Sequence, residues 1–280
     1  MRLVTYDAGQ GVRAGELRDD TIFDLWGQGE FVREEDRTLS GLLRGGLLDD
    51  LQPAPGDGVP ADSVALLPPI GDPGKIICIG LNYRSHAAEA GIDPPDRPTF
   101  FGKFANSLAS PGATVALPEG SEKVDFEAEI AVVIGARCSR VAPEHALDHV
   151  AGYMLFNDLS ARDWQFATPQ WMPGKVFDGS APCGPALVTV DDAGPHDAIE
   201  FRLELNGEVM QEASTADLIH SVPELIAHLS SLMTLDPGDV VATGTPSGVG
   251  SVRDPRVWLK PGDEIVISSP TLGELRTTMA

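Results

Sequence analysis

The sequence predicts a β-rich α+β protein with a small N-terminal domain, residues 1–70, and a larger domain, residues 71–280. Most of its patterned segments are short apolar or alternating runs, which are typical of strands. The dipeptide Asn206-Gly207, inside an alternating stretch, is the strongest hairpin signal in the chain. A Pro/Gly-rich stretch, residues 52–61, is typical of a linker and places the domain boundary near residue 70.

Composition excludes several classes of partner. The formal net charge of -22 makes nucleic acid and anionic membrane surfaces unexpected partners, because both bind clustered Lys and Arg. No apolar run approaches the roughly 20 residues that cross a bilayer. The first nine residues lack the pattern of a secretion signal. Three cysteines without C-x-x-C spacing predict reduced thiols, so we expect a cytoplasmic protein.

The N-terminal part carries a structural pattern only. Residues 1–6 and 12–17 predict a hairpin, and residues 21–26 predict another short strand. Residues 39–51 have apolar side chains at helical spacing. Because the first 70 residues contain no His, no Cys and no convergent polar cluster, we expect no functional site there.

The most informative stretch is residues 124–135. Its second half is a continuous apolar run that predicts a buried strand, and its first half alternates, so Asp125, Glu127 and Glu129 share one face. Burying such like charges costs several kcal/mol each unless they are neutralised, and a divalent cation with oxygen ligands does this simply. An acidic face in water is the alternative. We favour the cation because residues 131–134 are apolar on both faces.

A second candidate pair lies after the apolar strand of residues 75–80. Ser85 is a candidate cap for a short helix that Gly91 ends, and His86 and Glu89 lie three residues apart on one face of it. A carboxylate beside an imidazole fixes its tautomer and raises its basicity, as a general base requires. Such pairs are also common on ordinary helix surfaces. The Pro-rich residues 93–98 that follow are a candidate hinge.

Two further candidates follow the predicted strand of residues 150–156. Asp158 is placed to be a third metal ligand, although a carboxylate at the entry to a helix capped by Ser160 is equally consistent with this segment. Lys175 lies in a Gly/Pro-rich loop. It is either a surface residue or, in so acidic a chain, a clamp for an anion.

The C-terminal part predicts a hairpin over residues 197–209, a helix over 218–232 and a closing hairpin over 264–277. His220 and His228 in the helix lack a carboxylate at matching spacing, so we expect packing or surface roles. The glycine-rich residues 243–250 do not match a P-loop or G-x-G-x-x-G. Their amides and Thr245 are candidates to cradle a carboxylate.

Five motifs occur in order: Gly80-Leu-Asn-Tyr-x-x-His86-Ala-x-Glu89, Asp125-Phe-Glu127-Ala-Glu129, Asn157-Asp158-x-Ser-Ala-Arg162-Asp163-x-Gln165, Gly174-Lys175-x-Phe-Asp-Gly and Gly244-Thr245-Pro-Ser-Gly248. Together they resemble the fumarylacetoacetate hydrolase family, over residues 75 to the C-terminus. The resemblance implies a mixed β-sandwich or roll that is usually dimeric. The longer members have a fourth carboxylate ligand where this chain has Ile79. The chain is therefore similar to the shorter, three-carboxylate branch.

The resemblance also assigns roles to nine residues. It implies Mg²⁺ or Mn²⁺, with Ca²⁺ in the longer members, on Glu127, Glu129 and Asp158. It implies a catalytic group of His86, Glu89 and Lys175, with His86 and Glu89 on a lid helix. It implies substrate contacts at Arg162, Gln165 and Thr245.

These roles predict an enzyme acting on a small 2-oxo acid. The leading expectation is a hydrolase that cleaves a C–C bond in a short acylpyruvate-like 2,4-dioxo acid through a metal-stabilised enolate, with His86 and Glu89 activating water. The alternative keeps the metal site in an oxaloacetate decarboxylase or a hydroxymuconate-type isomerase or decarboxylase. A third hypothesis, a metal-stabilised binding protein without catalysis, leaves the His86/Glu89 pair without a role.

Overall fold

The computed structural model describes residues 1–9, 11–25, 37–48, 51 and 56–280 and confirms the predicted β-rich α+β fold. Its strands are β1 (Arg2–Asp7), β2 (Val12–Arg18), β3 (Thr21–Asp24), β4 (Val59–Pro60), β5 (Ala65–Leu67), β6 (Ile76–Gly80), β7 (Thr99–Lys103), β8 (Leu108–Ala109), β9 (Thr114–Val115), β10 (Val124–Asp125), β11 (Ala128–Ile134), β12 (Val150–Asn157), β13 (Ser160–Ala161), β14 (Ala181–Thr189), β15 (Glu200–Leu205), β16 (Glu208–Ser214), β17 (Val240–Ala242), β18 (Glu264–Ser269) and β19 (Gly273–Met279). Its α-helices are α1 (Leu39–Arg44), α2 (Arg84–Ala90), α3 (Arg162–Gln165), α4 (Val190–Ala193) and α5 (Val222–Leu232).

The strands form one large mixed sheet and a smaller second sheet. The large sheet runs β4-β3-β2-β1-β14-β12-β11-β17-β6-β7, with β5 beside β1 and β8 beside β14. The second runs β16-β15-β18-β19-β9, and β10 pairs with β13 alone. Both predicted C-terminal hairpins are confirmed as β15/β16 and β18/β19. None of the described helices is long and apolar enough to cross a membrane.

Strand β11 lies near the centre of the large sheet and is buried on both faces. Ile130 and Val132 pack into the core that the large sheet shares with the second sheet and α5. Ala131 and Val133 point the other way, into a core that also contains apolar residues of α1. Two-sided burial is the physical reason for the continuous apolar run in the sequence.

The N-terminal strands extend the same large sheet. The β1/β2 hairpin is confirmed, and β1 also pairs with β14, with Arg2 opposite Val188. The division at residue 70 stays a prediction. The predicted helix over 39–51 is too long, because α1 ends at Arg44 and the chain then passes Gly46 at a φ of +66°. Residues 26, 49–50 and 52–55 of the predicted segments lie outside the described residues.

Two predicted helix caps are wrong. Helix α2 begins at Arg84, and the amide of Ser85 donates to Asp217 Oδ2 at 3.0 Å instead of the Ser85 side chain capping the helix. Its predicted end is confirmed, since Gly91 has a φ of +65°. Ser160 lies in β13, where its hydroxyl donates to the carbonyl of Asp158. A tertiary contact thus replaces the suggested cap at Ser85, and a local bond to the preceding residues replaces it at Ser160.

We predict that Gly152→Ala destabilises the protein. Gly152 lies in β12, and a Cβ there would press into the carbonyl of Val188 on β14. Overpacking of this kind costs about 1–3 kcal/mol in the free energy of unfolding, to be measured by urea denaturation. Gly71→Ala is the control, because a Cβ there meets nothing within 4 Å. An equal loss of stability in both variants would contradict the close approach of β12 to β14 at Gly152.

Candidate functional site

Three carboxylates converge where the central strands of the large sheet end. Glu129 lies in β11, Glu127 lies just before this strand, and Asp158 directly follows β12. The antiparallel register places Ala128 opposite Asn157, and the amide of Asp158 donates to the carbonyl of Glu127 at 2.9 Å. One oxygen from each carboxylate lies within 4.8 Å of the others. Within the described residues this is the only group of three or more His, Cys, Asp or Glu side chains so arranged.

Three buried cations surround this acidic cluster of Glu127, Glu129 and Asp158. The Nζ of Lys175 bridges Glu127 Oε2 and Asp158 Oδ2, at 2.7 Å to each. The Nζ of Lys103 donates to Asp158 Oδ1 at 2.7 Å. The guanidinium of Arg162 contacts Glu127 Oε1. Both oxygens of Glu127 and both of Asp158 therefore contact a cation.

Glu129 is the exception. Its Oε2 accepts a hydrogen bond from the amide of Gly244 at 2.9 Å, and none of the described cations forms an ion pair with it. Burial, followed by the negative charges of Asp158 and Glu127, raises its pKa well above the usual glutamate range. The cluster thus retains an uncompensated acidic position.

Glu127 shows the opposite behaviour. Burial alone would raise the pKa of its carboxyl group, but the charges of Arg162 and Lys175 outweigh burial and lower the pKa to about 2. Lys175 is fully buried as well, and its pKa is raised because the charges of Asp158 and Glu127 outweigh the cost of burying its ammonium group. These groups form one coupled ionic network in which each charge depends on its neighbours.

The donor set fits a divalent metal ion. With Asp125 included, four buried carboxylates face three buried cations, Lys103, Arg162 and Lys175, which leaves one negative charge when all are ionised. Carboxylate oxygens suit hard cations such as Mg²⁺ and Mn²⁺. Because Lys175 contacts two of the three carboxylates, an ion bound there must share them with this ammonium group.

Asp125 does not belong to the acidic cluster, which corrects the expectation of three carboxylates on one strand face. The strand pattern breaks between β10 and β11, so strict alternation does not hold. Its Oδ1 accepts from the amide of Gly250 at 2.7 Å, and its Oδ2 accepts from the amide of Ser251 and from Arg162 Nε, both at 2.9 Å. Asp125 is fully buried and serves as a partner for Arg162.

His86 and Glu89 lie together on α2, as the spacing predicts. His86 Nδ1 is 3.5 Å from Glu89 Oε2. Glu89 also accepts the amide hydrogen of Gly248 at 3.0 Å, which ties the helix to the glycine-rich loop. The His86 side chain is 13% exposed, and it lines the same cavity as the acidic cluster.

Eight of the nine predicted site residues line this cavity. The ninth, Glu89, contacts His86, which lines the cavity. Its volume is about 180 Å³, smaller than the roughly 300–1,000 Å³ of pockets for drug-sized ligands. Its apolar wall contains Ile92, Phe101, Phe166 and Trp171. The space therefore suits a short acid.

The glycine-rich loop holds carboxylates of the chain itself, which refines the expectation that it cradles one. The amides of Gly244, Gly248 and Gly250 bind Glu129, Glu89 and Asp125, in that order.

The hydroxyl of Thr245 in this loop is engaged as well. It donates to the carbonyl of Ala128 at 3.0 Å and accepts from Gln211 Nε2 at 2.9 Å. Thr245 nevertheless lines the cavity, so its role as a substrate contact stays a prediction.

Sequence reasoning missed two residues that support the site. Lys103 ends the mostly apolar strand β7, and a lysine inside such a strand is the signal that could have revealed it. Gln211 lies in β16, where its Oε1 accepts from the amide of Ala128 at 2.9 Å. No local pattern distinguishes it from other polar strand residues.

His220, expected to have no ligand role, contacts the carbonyl of Pro95 at 3.0 Å.

A model of the family described as "Fumarylacetoacetate (FAA) hydrolase C-terminal" matches residues 75–280. The chain belongs to the fumarylacetoacetate hydrolase family. Known relatives of this member are enzymes. Mitochondrial oxaloacetate tautomerase FAHD2A from Bos taurus is 41% identical over 247 residues, which cover 87% of this chain and 76% of the relative. This agrees with the predicted shorter branch of the family.

Solved structures of family members share the whole fold. The 5-carboxymethyl-2-hydroxymuconate delta-isomerase from Mycobacterium smegmatis is 31% identical, with a TM-score of 0.81 over 100% of this chain and 98% of that one. The maleylpyruvate hydrolase from Sphingobium sp. SYK-6, solved with manganese(II) and pyruvate, is 30% identical, with a TM-score of 0.79 over 100% and 99%. The family thus includes tautomerases, isomerases and hydrolases.

We predict opposite effects of two isosteric changes on the metal-free protein. Glu129→Gln raises its thermal stability, because it removes a buried charge without a cationic partner and keeps an acceptor for Gly244. Asp158→Asn lowers the free energy of unfolding by about 3–5 kcal/mol, since Lys103 and Lys175 each lose an ionic partner.

These effects are measured as melting temperatures in EDTA between pH 5 and pH 8. Because folding raises the pKa of Glu129, the folded state holds this proton more tightly than the unfolded chain. Its contribution to stability therefore falls as the pH rises above the glutamate range, and the gap between Glu129→Gln and the wild type widens. Adding Mn²⁺ should raise the melting temperature of the wild type far more than that of Glu129→Gln. If metal-free Glu129→Gln is less stable than the metal-free wild type, Glu129 is not the uncompensated carboxylate of the cluster.

Proposed function

We propose that this protein is a divalent-metal-dependent enzyme that acts at C3 of a short 2-oxo acid, and that it interconverts the keto and enol forms of oxaloacetate. The observation that carries the proposal is the single small cavity shared by the acidic cluster, His86 and Lys175. It combines a site for a cation, a base and a site for an anion.

Glu127, Glu129 and Asp158 would hold Mg²⁺ or Mn²⁺. Such an ion supplies Lewis-acid chemistry, since it withdraws electrons from the 2-oxo group and so acidifies the C3 hydrogens. The manganese in the structure of the related maleylpyruvate hydrolase supports this choice of metal.

The side chains of the chain then bind the acid and move the proton. Glu89 orients His86 through Nδ1, which leaves Nε2 to take a proton from C3. Return of that proton to the oxygen at C2 gives the enol, with no net consumption of water. Lys175 and Gln165, both lining the cavity, would bind the oxygens of the substrate.

Relatives favour this reaction over others in the family. An enzyme named oxaloacetate tautomerase is 41% identical over most of the chain. In decarboxylation the C3–C4 bond breaks, its electron pair stays at C3 and passes to the 2-oxo group, and CO₂ leaves. Double-bond isomerisation moves a proton between carbons conjugated with the same group, so both are reactions that this site could also support.

Hydrolysis of a C–C bond in a 2,4-dioxo acid is the second candidate. The anchored Glu89 favours it, because a His–Glu pair suits activation of water, and the maleylpyruvate hydrolase supports it as a relative. In this reaction His86 takes a proton from water, which adds to the distal carbonyl. The bond to C3 then breaks to release an acid, and the proton passes from His86 to C3 to give pyruvate.

We predict that the purified protein accelerates keto–enol interconversion of oxaloacetate, followed by the ultraviolet absorbance of the enol. EDTA should abolish the acceleration, and Mg²⁺ or Mn²⁺ should restore it. Glu127→Gln removes a charged ligand and should lower kcat/KM at least 100-fold, an order typical of losing one electrostatic contact at the reacting centre. Glu144→Gln, at an exposed site, is the control. Activity that survives EDTA and Glu127→Gln would rule the metal out.

We predict that His86→Ala lowers turnover about 10²–10⁴-fold, the range for losing a general base. His145→Ala is the control, since that side chain is 70% exposed and does not line the cavity. Release of acetate and pyruvate from acetylpyruvate, followed by proton NMR, tests the second candidate with the same variants. Rapid cleavage of acetylpyruvate without acceleration of oxaloacetate enolisation would make hydrolysis the function.

A further inference from the structure

We propose that Arg162, pinned in place by Asp125, positions the Glu127 carboxylate as a metal ligand. The inference rests on the metal site of the proposed function. It gives Arg162 a positioning role beside the substrate contact that the family resemblance implied.

The guanidinium of Arg162 has almost no donor left for a substrate. An arginine offers five N–H groups. Nε and Nη2 both donate to Asp125 Oδ2 at 2.9 Å, Nη2 also contacts Glu127 Oε1, and Nη1 donates to Gln165 Oε1 at 2.9 Å. These contacts use four of the five N–H groups and leave one, on Nη1. The residue is 8% exposed.

Asp125 is a rigid anchor for this guanidinium. It is fully buried, and three backbone amides donate to it, from Phe126 at 2.9 Å, Gly250 at 2.7 Å and Ser251 at 2.9 Å. A Cβ at Gly250 would lie 2.8 Å from its Oδ1, so the loop approaches this closely only with glycine there. Backbone donors lose little entropy on binding, and they fix where the carboxylate points.

Arg162 differs from the other cation on Glu127. Lys175 divides its ammonium group between Glu127 and Asp158, two members of the acidic cluster. Arg162 contacts Glu127 alone within that cluster, on the oxygen that Lys175 does not use. The Arg162 guanidinium, held on one side by Asp125, therefore sets the orientation of the Glu127 carboxylate alone. Hydrogen-bond partners outside the ligand shell have this role around protein metal ions.

The same chain of contacts links the ligand to the cavity wall. Ser251, whose amide holds Asp125, lines the cavity together with Val252. Displacement of this wall would thus be transmitted through Asp125 and Arg162 to Glu127.

The test is the dissociation constant of Mn²⁺, measured by isothermal titration calorimetry on EDTA-treated full-length protein. Arg162→Lys keeps the charge but removes the planar guanidinium whose N–H groups point in fixed directions at Asp125 and Glu127, and we expect 10- to 100-fold weaker binding. Arg276→Lys is the matched control, because Arg276 also joins two carboxylates, Glu264 and Glu274, but is half-exposed and does not line the cavity. It should stay within about threefold of the wild type.

Asp125→Asn is the second variant and carries the test if Arg162→Lys does not fold. It should weaken Mn²⁺ binding in the same range, and the double variant should lose little more than the worse single variant, because both act through one contact. Wild-type Mn²⁺ affinity in Arg162→Lys or Asp125→Asn, with a raised KM for oxaloacetate, would overturn the inference and leave Arg162 with only the role of a substrate contact. Failure of the wild type to bind Mn²⁺ would instead refute the proposed metal site.

Discussion

Compensation of buried charge is the constraint on which this structure depends. Four carboxylates and three cations lie in the interior, where an unpaired charge costs several kcal/mol. The network is satisfied at Glu127 and Asp158 and remains unsatisfied at Glu129. That imbalance supports the proposed binding of a further cation, and it distinguishes the cluster from a fully compensated set of internal salt bridges.

The fold supplies the rigidity that such a network needs. Strand β11 is buried on both faces, and its register with β12 brings Asp158 beside Glu127. Lys103 reaches the cluster from the end of β7, which is linked to β11 through β6 and β17. The catalytic candidates thus depend on sheet order more than on any local motif, and the N-terminal strands strengthen the same sheet.

Much of this was predictable from the sequence, for definite physical reasons. Alternation and apolar runs predicted the strands around Glu127 and Glu129, and the family motifs predicted the nine site residues. The roles of these residues stay predictions, and so does the homodimer expected of the protein. Other features depend on contacts across the fold. Strand alternation placed Asp125 with the metal ligands, because a break of two residues before β11 leaves no trace in the pattern. Lys103 carried no motif, and Ser160 was mistaken for a cap because its hydroxyl bonds locally in either conformation.

The glycine-rich loop has a consequence for how members of such a family can diverge. Its hold on Glu129, Glu89 and Asp125 uses the backbone amides of three glycines, so the contacts depend on the length of the loop and on glycine at these positions, where a Cβ would meet backbone atoms. Insertion or deletion of one residue would disturb the cation site, the base and the anchor together. New substrate preferences are therefore more accessible to evolution on the apolar wall, where the exposed side chains of Ile92 and Phe166 can be exchanged without rebuilding the chemistry.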